Sequence, residues 1–226
     1  MLCLKRQTSY IIHQQHYTST TSYNINNIKH PKKQTMKIVF ATANKNKAYE
    51  IQKIVPPNIE IISLNDLEFY EEIPETSATI EGNAIQKVEF IVDRFNLDCF
   101  ADDTGLEIES LGGEPGVYSA RYAGEERDAE KNMNLVLEKL QGVSNRKARF
   151  KTVICLSLNN KIHVFEGIVE GIIRGEKSGS LGFGYDPIFE PENCGKTFAE
   201  MTTDEKNKMS HRARAFDKMI NFLRNQ

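Results

Sequence analysis

The pattern of apolar positions changes at Met36. Residues 1–35 show no apolar periodicity, whereas from Met36 onward short apolar runs alternate with stretches whose apolar residues return every three or four positions. Lys37–Thr42 reads as a buried strand, Lys45–Val55 as a helix stopped by Pro56 and Pro57, and Ile59–Leu64 as a second strand. Ile80, Ala84, Val88 and Ile91 fall on one face of a helix over Thr79–Phe95, which leads into the short run Asp98–Ala101. Asp128 is placed to cap a helix through Leu140, and Ala148–Leu158 with Lys161–Ile173 forms a hairpin about Asn159 and Asn160. Gly and Pro dominate Gly175–Gly195 before a closing helix. Such alternation predicts an α/β fold, a sheet with helices packed on its faces.

At 226 residues with 39% hydrophobic content, the chain is long enough for one good core. No run approaches the ~20 apolar residues that cross a bilayer, so no membrane partner is expected. Residues 1–35 hold Lys5, Arg6, Lys29, Lys32 and Lys33 and no acid, which leaves seven net negative charges on the remainder. An acidic body disfavours nucleic acid, whose binding rests on phosphate neutralisation. The first 35 residues read as a disordered polar and basic extension, with a transit peptide or a false start before Met36 as the other readings. Cys3, Cys99, Cys155 and Cys194 have neither disulfide-framework nor zinc spacing, pointing to a reducing cytoplasm.

Four stretches could carry chemistry. In ADDTG, Asp102 and Asp103 end an apolar run, where two unpaired carboxylates cannot both be buried; successive strand residues face opposite ways, so one of the two need enter a cleft. The stretch is either a solvated strand-to-turn junction or a site. ATANKNK, Ala41–Lys47, lies at a strand-to-helix junction that reads as an ordinary capped helix or as an anion site, without the Gly-rich loop of Walker A. Glu75 and Glu81 bracket a helix start; Glu75 becomes chemical only with a metal, and with Asp103 it would supply the carboxylates magnesium prefers. In SGSLGFGYDP, three glycines leave Phe183 and Tyr185 exposed enough to stack on a flat ligand, the alternative being a surface turn with one buried aromatic. Near the end, Thr202 and Glu205 fit a capping box, and Met209, Ala213, Phe216, Ile220 and Leu223 form an apolar stripe. An unbroken helix would splay His211 and Arg212 apart, whereas a break with Ser210 as a new N-cap puts both in a first turn.

Taken in order, TANKNK, ETSATIEGNA, ADDTGL, GGEPGVYSARYAG, GFGYDPIF and EKNKMSHRARA resemble the inosine triphosphate pyrophosphatase family over Met36 to about Leu223. The resemblance implies an elongated mixed sheet flanked by helices, a three-layer α/β/α arrangement in two lobes with the nucleotide between them, and a homodimer. It implies hydrolysis of ITP, dITP and XTP to the monophosphate and pyrophosphate, cleansing the nucleotide pool. On matching positions, Thr42, Ala43, Asn44, Lys45, Asn46 and Lys47 would bind the triphosphate, with Thr104 beside them. Glu75 and Asp103 would hold Mg2+, Asp103 would be the general base, and Asp102 would support them. Phe183 would stack on the purine, Gly184, Tyr185 and Asp186 would shape its pocket, and Lys206, His211 and Arg212 would read its edge. Ala43, Asn46 and Ser77 replace glycines common in the family, and Thr104 stands where many members have Ser. The rival readings are a Maf-like pyrophosphatase for other modified nucleotides and a non-catalytic nucleotide- or RNA-binding module.

Overall fold

The computed structural model describes residues 35–226, so the expectation for the basic N-terminal extension lies outside the described residues. Its seven strands are β1 (Met36–Phe40), β2 (Ile59–Ile62), β3 (Cys99–Ile108), β4 (Pro115–Gly116), β5 (Lys147–Leu158), β6 (Lys161–Ile173) and β7 (Phe189–Pro191). They make one sheet in the order β2-β1-β3-β5-β6-β7, with β4 paired to β3. β1 runs parallel to β2 and β3; every other pairing is antiparallel, so the sheet is mixed. The helices are α1 (Lys45–Ile54), α2 (Ile80–Phe95), α3 (Ala129–Lys139), α4 (Thr203–Asn207) and α5 (His211–Arg224). Among the described residues, no helix is long and apolar enough to cross a membrane.

Local chemistry sets the helix starts at the expected places. Asn44, Thr79, Asp128 and Ser210 each accept hydrogen bonds from the first-turn N–H groups of α1, α2, α3 and α5. Thr202 and Glu205 form the capping box of α4, and the chain does break before Ser210. Asn159 and Asn160, at φ 51° and 59°, close the β5–β6 hairpin, as its two-residue turn requires.

Packing gives the three layers. α2 buries Ile80, Ala84, Val88 and Ile91 on one face of the sheet, each large side chain contributing roughly 1.5–3 kcal/mol. α1 and α5 cover the other face with Ile51, Phe216, Met219 and Ile220. A further core joins α3 to the opposite reach of the same long strands: β5 gives Ala148 and Phe150 to it, and Ile154 and Leu156 to the α5 face. The elongated sheet thus carries two lobes, as expected. Gly167 lets α5 lie close on β6, because a Cβ there would fall 2.0 Å from the His211 carbonyl oxygen.

One expectation fails. The apolar run does not end at the aspartates: β3 is ten residues long and runs on past them to Ile108, and both Asp102 and Asp103 are buried, at 1% and 8% exposure. Burial is tolerated because neither carboxylate is unpaired; buried Lys87 and Arg212 and largely buried Lys47 surround them.

Candidate active site

A cavity of about 430 Å³ opens between the lobes. Residues from widely separated stretches line it: Thr42 to Lys47 apart from Lys45, then Glu75, Asp103 and Thr104, Phe183 to Asp186, and Lys206, His211 and Arg212. Lys45 is exposed and is not part of the wall, because it points away from the face of α1 that carries Lys47. The alternation along β3 directs Asp103 into the cavity and Asp102 toward α5.

At one end, two carboxylates share one ammonium. Lys87 Nζ donates to Glu75 Oε1 at 2.6 Å, to the Asp102 carbonyl at 2.7 Å and to Asp103 Oδ1 at 3.5 Å. Asn83 Nδ2 donates to Asp103 Oδ2 at 3.4 Å, while its Oδ1 accepts from Ser77 N at 2.8 Å, so α2 fixes the loop that carries Glu75. Lys47 Nζ donates to the Asp102 carbonyl and lies 3.2 Å from Asp102 Oδ1. Burial pushes the Asp103 carboxyl above its usual range, outweighing Lys87 and Lys47. Burial acts the same way on Asp102, but there Lys47, Arg212 and Lys87 win and hold it well below that range. Glu75 is likewise pushed up by burial and pulled lower by Lys87, Lys47 and Arg127.

The other end is a chain of alternating charge that runs from Asp102 through Arg212, Glu50 and Lys206 to Asp186. Arg212 donates from Nε to Asp102 Oδ2 at 3.0 Å and from Nη1 to Glu50 Oε2. Lys206 Nζ donates to Glu50 Oε1 at 2.8 Å and to Asp186 Oδ2 at 2.6 Å. Arg212 Nη2 also reaches Thr104 Oγ1 at 3.3 Å, and that hydroxyl shares a 2.6 Å hydrogen bond with buried Thr152. Phe183 is half-buried, with Lys206 Nζ 4.9 Å and Arg212 Cζ 5.6 Å from its ring centroid, so cations pin its face. His211 stacks on Phe150, ring centroids 4.5 Å apart, and its buried Nδ1 has no hydrogen-bond partner among the described residues. Burial, reinforced by Arg212 and Lys206, depresses its pKa well below the ordinary value, so the ring is neutral.

Tyr185 corrects a second expectation. It is 5% exposed and its hydroxyl donates to the Ser119 carbonyl at 2.8 Å, so it is a wall and not a stacking platform. Phe183 alone of the pair offers a face. Gly182, at φ 73°, permits the tight turn in which Asp186 Oδ2 accepts from Phe183 N at 2.8 Å.

Sequence reasoning missed Glu50, Asn83, Lys87 and Thr152. Lys87 and Asn83 sit on the apolar stripe of α2, three residues after Ala84 and Ile80, and a polar residue in such a stripe is a legible signal. Glu50 follows Lys47 by three on α1 and so shares its face. Thr152 had no such signal; the register that places it opposite Thr104 exists only in the sheet.

Comparison with known proteins places this arrangement in a family. The model of the Ham1 family matches residues 38–222. A Flavobacterium johnsoniae protein named dITP/XTP pyrophosphatase is 54% identical over 188 residues, 83% of this chain and 98% of that protein. A Bacillus subtilis protein of the same name is 46% identical over 189 residues, 82% of this chain and 96% of that one. Among solved structures, the Staphylococcus aureus Ham1 protein aligns with a TM-score of 0.77 at 39% identity, covering 84% of this chain and 98% of its own. With the family model matched over residues 38–222 and the fold shared with a solved relative, the chain belongs to the Ham1 family.

Proposed function

We propose that this chain hydrolyses non-standard purine nucleoside triphosphates, dITP, ITP and XTP, to the monophosphate and pyrophosphate. The observation that carries the reading is a cavity with two chemical ends, in a chain 54% identical to a protein named dITP/XTP pyrophosphatase. One end gathers carboxylates and ammonium groups suited to phosphates; the other sets one aromatic face beside buried N–H donors.

The donors at the phosphate end suit a magnesium ion. Glu75 and Asp103 supply hard oxygens, and both already face one cation, the Lys87 ammonium. These two residues would hold the metal, which when bound offsets triphosphate charge and acidifies a water. Asp103 accepts the proton of the attacking water, a task its raised pKa suits. Lys47 and Lys87 stabilise the charge that grows on departing pyrophosphate. Asn44, at the start of α1, orients the loop over the phosphates through its bonds to Asn46 N and Lys47 N.

At the base end, the purine stacks on Phe183 while Gly184, Tyr185 and Asp186 shape its slot. Lys206 and Arg212 keep N–H groups beyond those given to Glu50, Asp186 and Asp102. These donors and His211 Nδ1 match the 6-carbonyl of inosine and xanthine, whereas the 6-amino group of adenine sets donor against donor. Each unpaired buried donor costs roughly 1–3 kcal/mol, which is about 5- to 150-fold discrimination per donor.

Pyrophosphate release from dITP and XTP against ATP, with and without magnesium, tests the reading. We expect a strong preference for the first two, magnesium dependence, and loss of most turnover in a folded Asp103→Asn variant. Equal rates on ATP, or full activity in that variant, would overturn it. The homodimer implied by the resemblance is a proposal that light scattering checks. A cytoplasmic location is proposed too, supported by the free thiols of Cys99, Cys155 and Cys194.

A further inference from the structure

We infer that Arg127 grips the terminal phosphate of the bound triphosphate, exchanging its present partner Glu72 for that phosphate. The inference deepens the function proposed above and rests on it for the identity of the substrate.

Arg127 and Glu72 both line the cavity, although they lie 55 residues apart, one just before α3 and the other on the loop that leads to Glu75. Their ion pair, Nη2 to Oε1 at 2.5 Å, spans the exposed rim, with side chains 50% and 73% accessible. The other cations of the cavity are held inside it: Lys47 by Asp102, Lys87 by Glu75 and Asp103, Lys206 by Glu50 and Asp186, Arg212 by Asp102 and Glu50. Freeing any of these strands a buried carboxylate, which is costly. Freeing Arg127 only returns a well-solvated Glu72 to water, and an exposed pair of this kind contributes little to stability. Arg127 is therefore the cation that can change partner at least cost.

Its position fits the phosphate end. Arg127 shares the cavity wall with Glu75, and its partner Glu72 lies three residues before Glu75 on the same loop, so its guanidinium stands on the side of the cavity where those carboxylates are. The backbone of Arg127 has φ 55°, a left-handed conformation unfavourable for a residue with a side chain, and at a cavity rim such a conformation is kept where it aims a group. Asp128 and Ala129 follow directly; Ala129, the first residue of α3, is also in the cavity wall, adding the positive end of an eleven-residue helix to the same patch. A guanidinium suits the ligand as well, since its planar fork takes two phosphate oxygens at once.

The test is initial-rate kinetics on dITP with the full chain, comparing wild type with Arg127→Ala, Arg127→Lys and Glu72→Gln, together with inhibition by inorganic tripolyphosphate and by deoxyinosine monophosphate. Arg127→Ala should raise KM for dITP and the inhibition constant of tripolyphosphate about tenfold, with kcat within about twofold, because binding common to ground and transition states is lost. Arg127→Lys should recover part of this and Glu72→Gln should lower KM, while inhibition by the monophosphate, which lacks the outer phosphates, stays unchanged. KM and tripolyphosphate inhibition within about twofold of wild type would overturn the inference, as would equal weakening of the monophosphate, which marks a general distortion of the cavity. If wild type itself releases no pyrophosphate from dITP, the proposed function falls instead, and calorimetric titration with tripolyphosphate still decides whether Arg127 binds a phosphate chain.

Discussion

Replacing Lys87 by Met removes one positive charge and little volume, and thereby tests the electrostatic core of the site. Its ammonium lies 2.6 Å from Glu75 Oε1 and 3.5 Å from Asp103 Oδ1. At an effective dielectric of about 20, these separations correspond to gross attractions of about 6 and about 5 kcal/mol. Desolvating the ammonium offsets much of that sum, and breaking a buried pair by removing one partner typically costs about 3–5 kcal/mol. For a domain of this size that is a fall in Tm of roughly 6–20 °C. Scanning calorimetry of wild type and Lys87→Met should show it at neutral pH. Added magnesium, set against potassium chloride of equal ionic strength, should then raise Tm more in the variant than in wild type, because it restores the cation that Glu75 and Asp103 have lost. A variant as stable as wild type, or one no more responsive to magnesium, would refute the reasoning.

Three further outcomes are expected. Gly167→Ala would set a Cβ 2.0 Å from the His211 carbonyl oxygen and 2.6 Å from Ala215 N, so α5 must lift from β6. Urea unfolding should show a loss of about 1–3 kcal/mol or more, and KM for dITP should rise because His211 and Arg212 ride on that helix. Gly182→Ala would put a Cβ 2.1 Å from Asp186 Oδ2, dislodging the carboxylate that holds Lys206 and Phe183 N; the kcat/KM preference for ITP over ATP should fall about tenfold, and an unchanged ratio would count against the assigned base end. His211 has a pKa depressed well below its ordinary 6.5, so the unfolded chain binds an extra proton as pH falls beneath that value. The stability it confers is complete above about pH 6.5 and is lost below it at about 1.4 kcal/mol per pH unit; His211→Phe should reduce the difference in unfolding free energy between about pH 7.5 and 5.5 by that amount, and identical profiles would exclude the mechanism.

Much of the site was legible because its residues sit at element ends, where chemistry and local structure use the same signals. Ser210 was visible as a cap and Ala41–Lys47 as a strand-to-helix junction, and the first turns that follow bring Lys47, His211 and Arg212 to the cavity. The β5–β6 hairpin declared itself through Asn159 and Asn160. Asp102 and Asp103 were visible as a pair, but not as buried members of a strand that runs on to Ile108, since what neutralises them comes from α1, α2 and α5. Tyr185 and Lys45 were misjudged for the same reason: exposure belongs to neighbours, and neighbours distant in sequence leave no local mark.

What the order of residues settled unaided was the periodicity of each segment, the caps that start its helices, the glycines that free its turns, and the family to which its motifs belong. These depend on interactions within a few residues. Only tertiary structure decided which charges meet. Glu50 joins Lys206 and Arg212 from 156 and 162 positions away, and Lys87 closes on Glu75 and Asp103. Burial then makes those encounters consequential, because a carboxylate removed from water keeps its charge only where a cation from another element arrives to balance it.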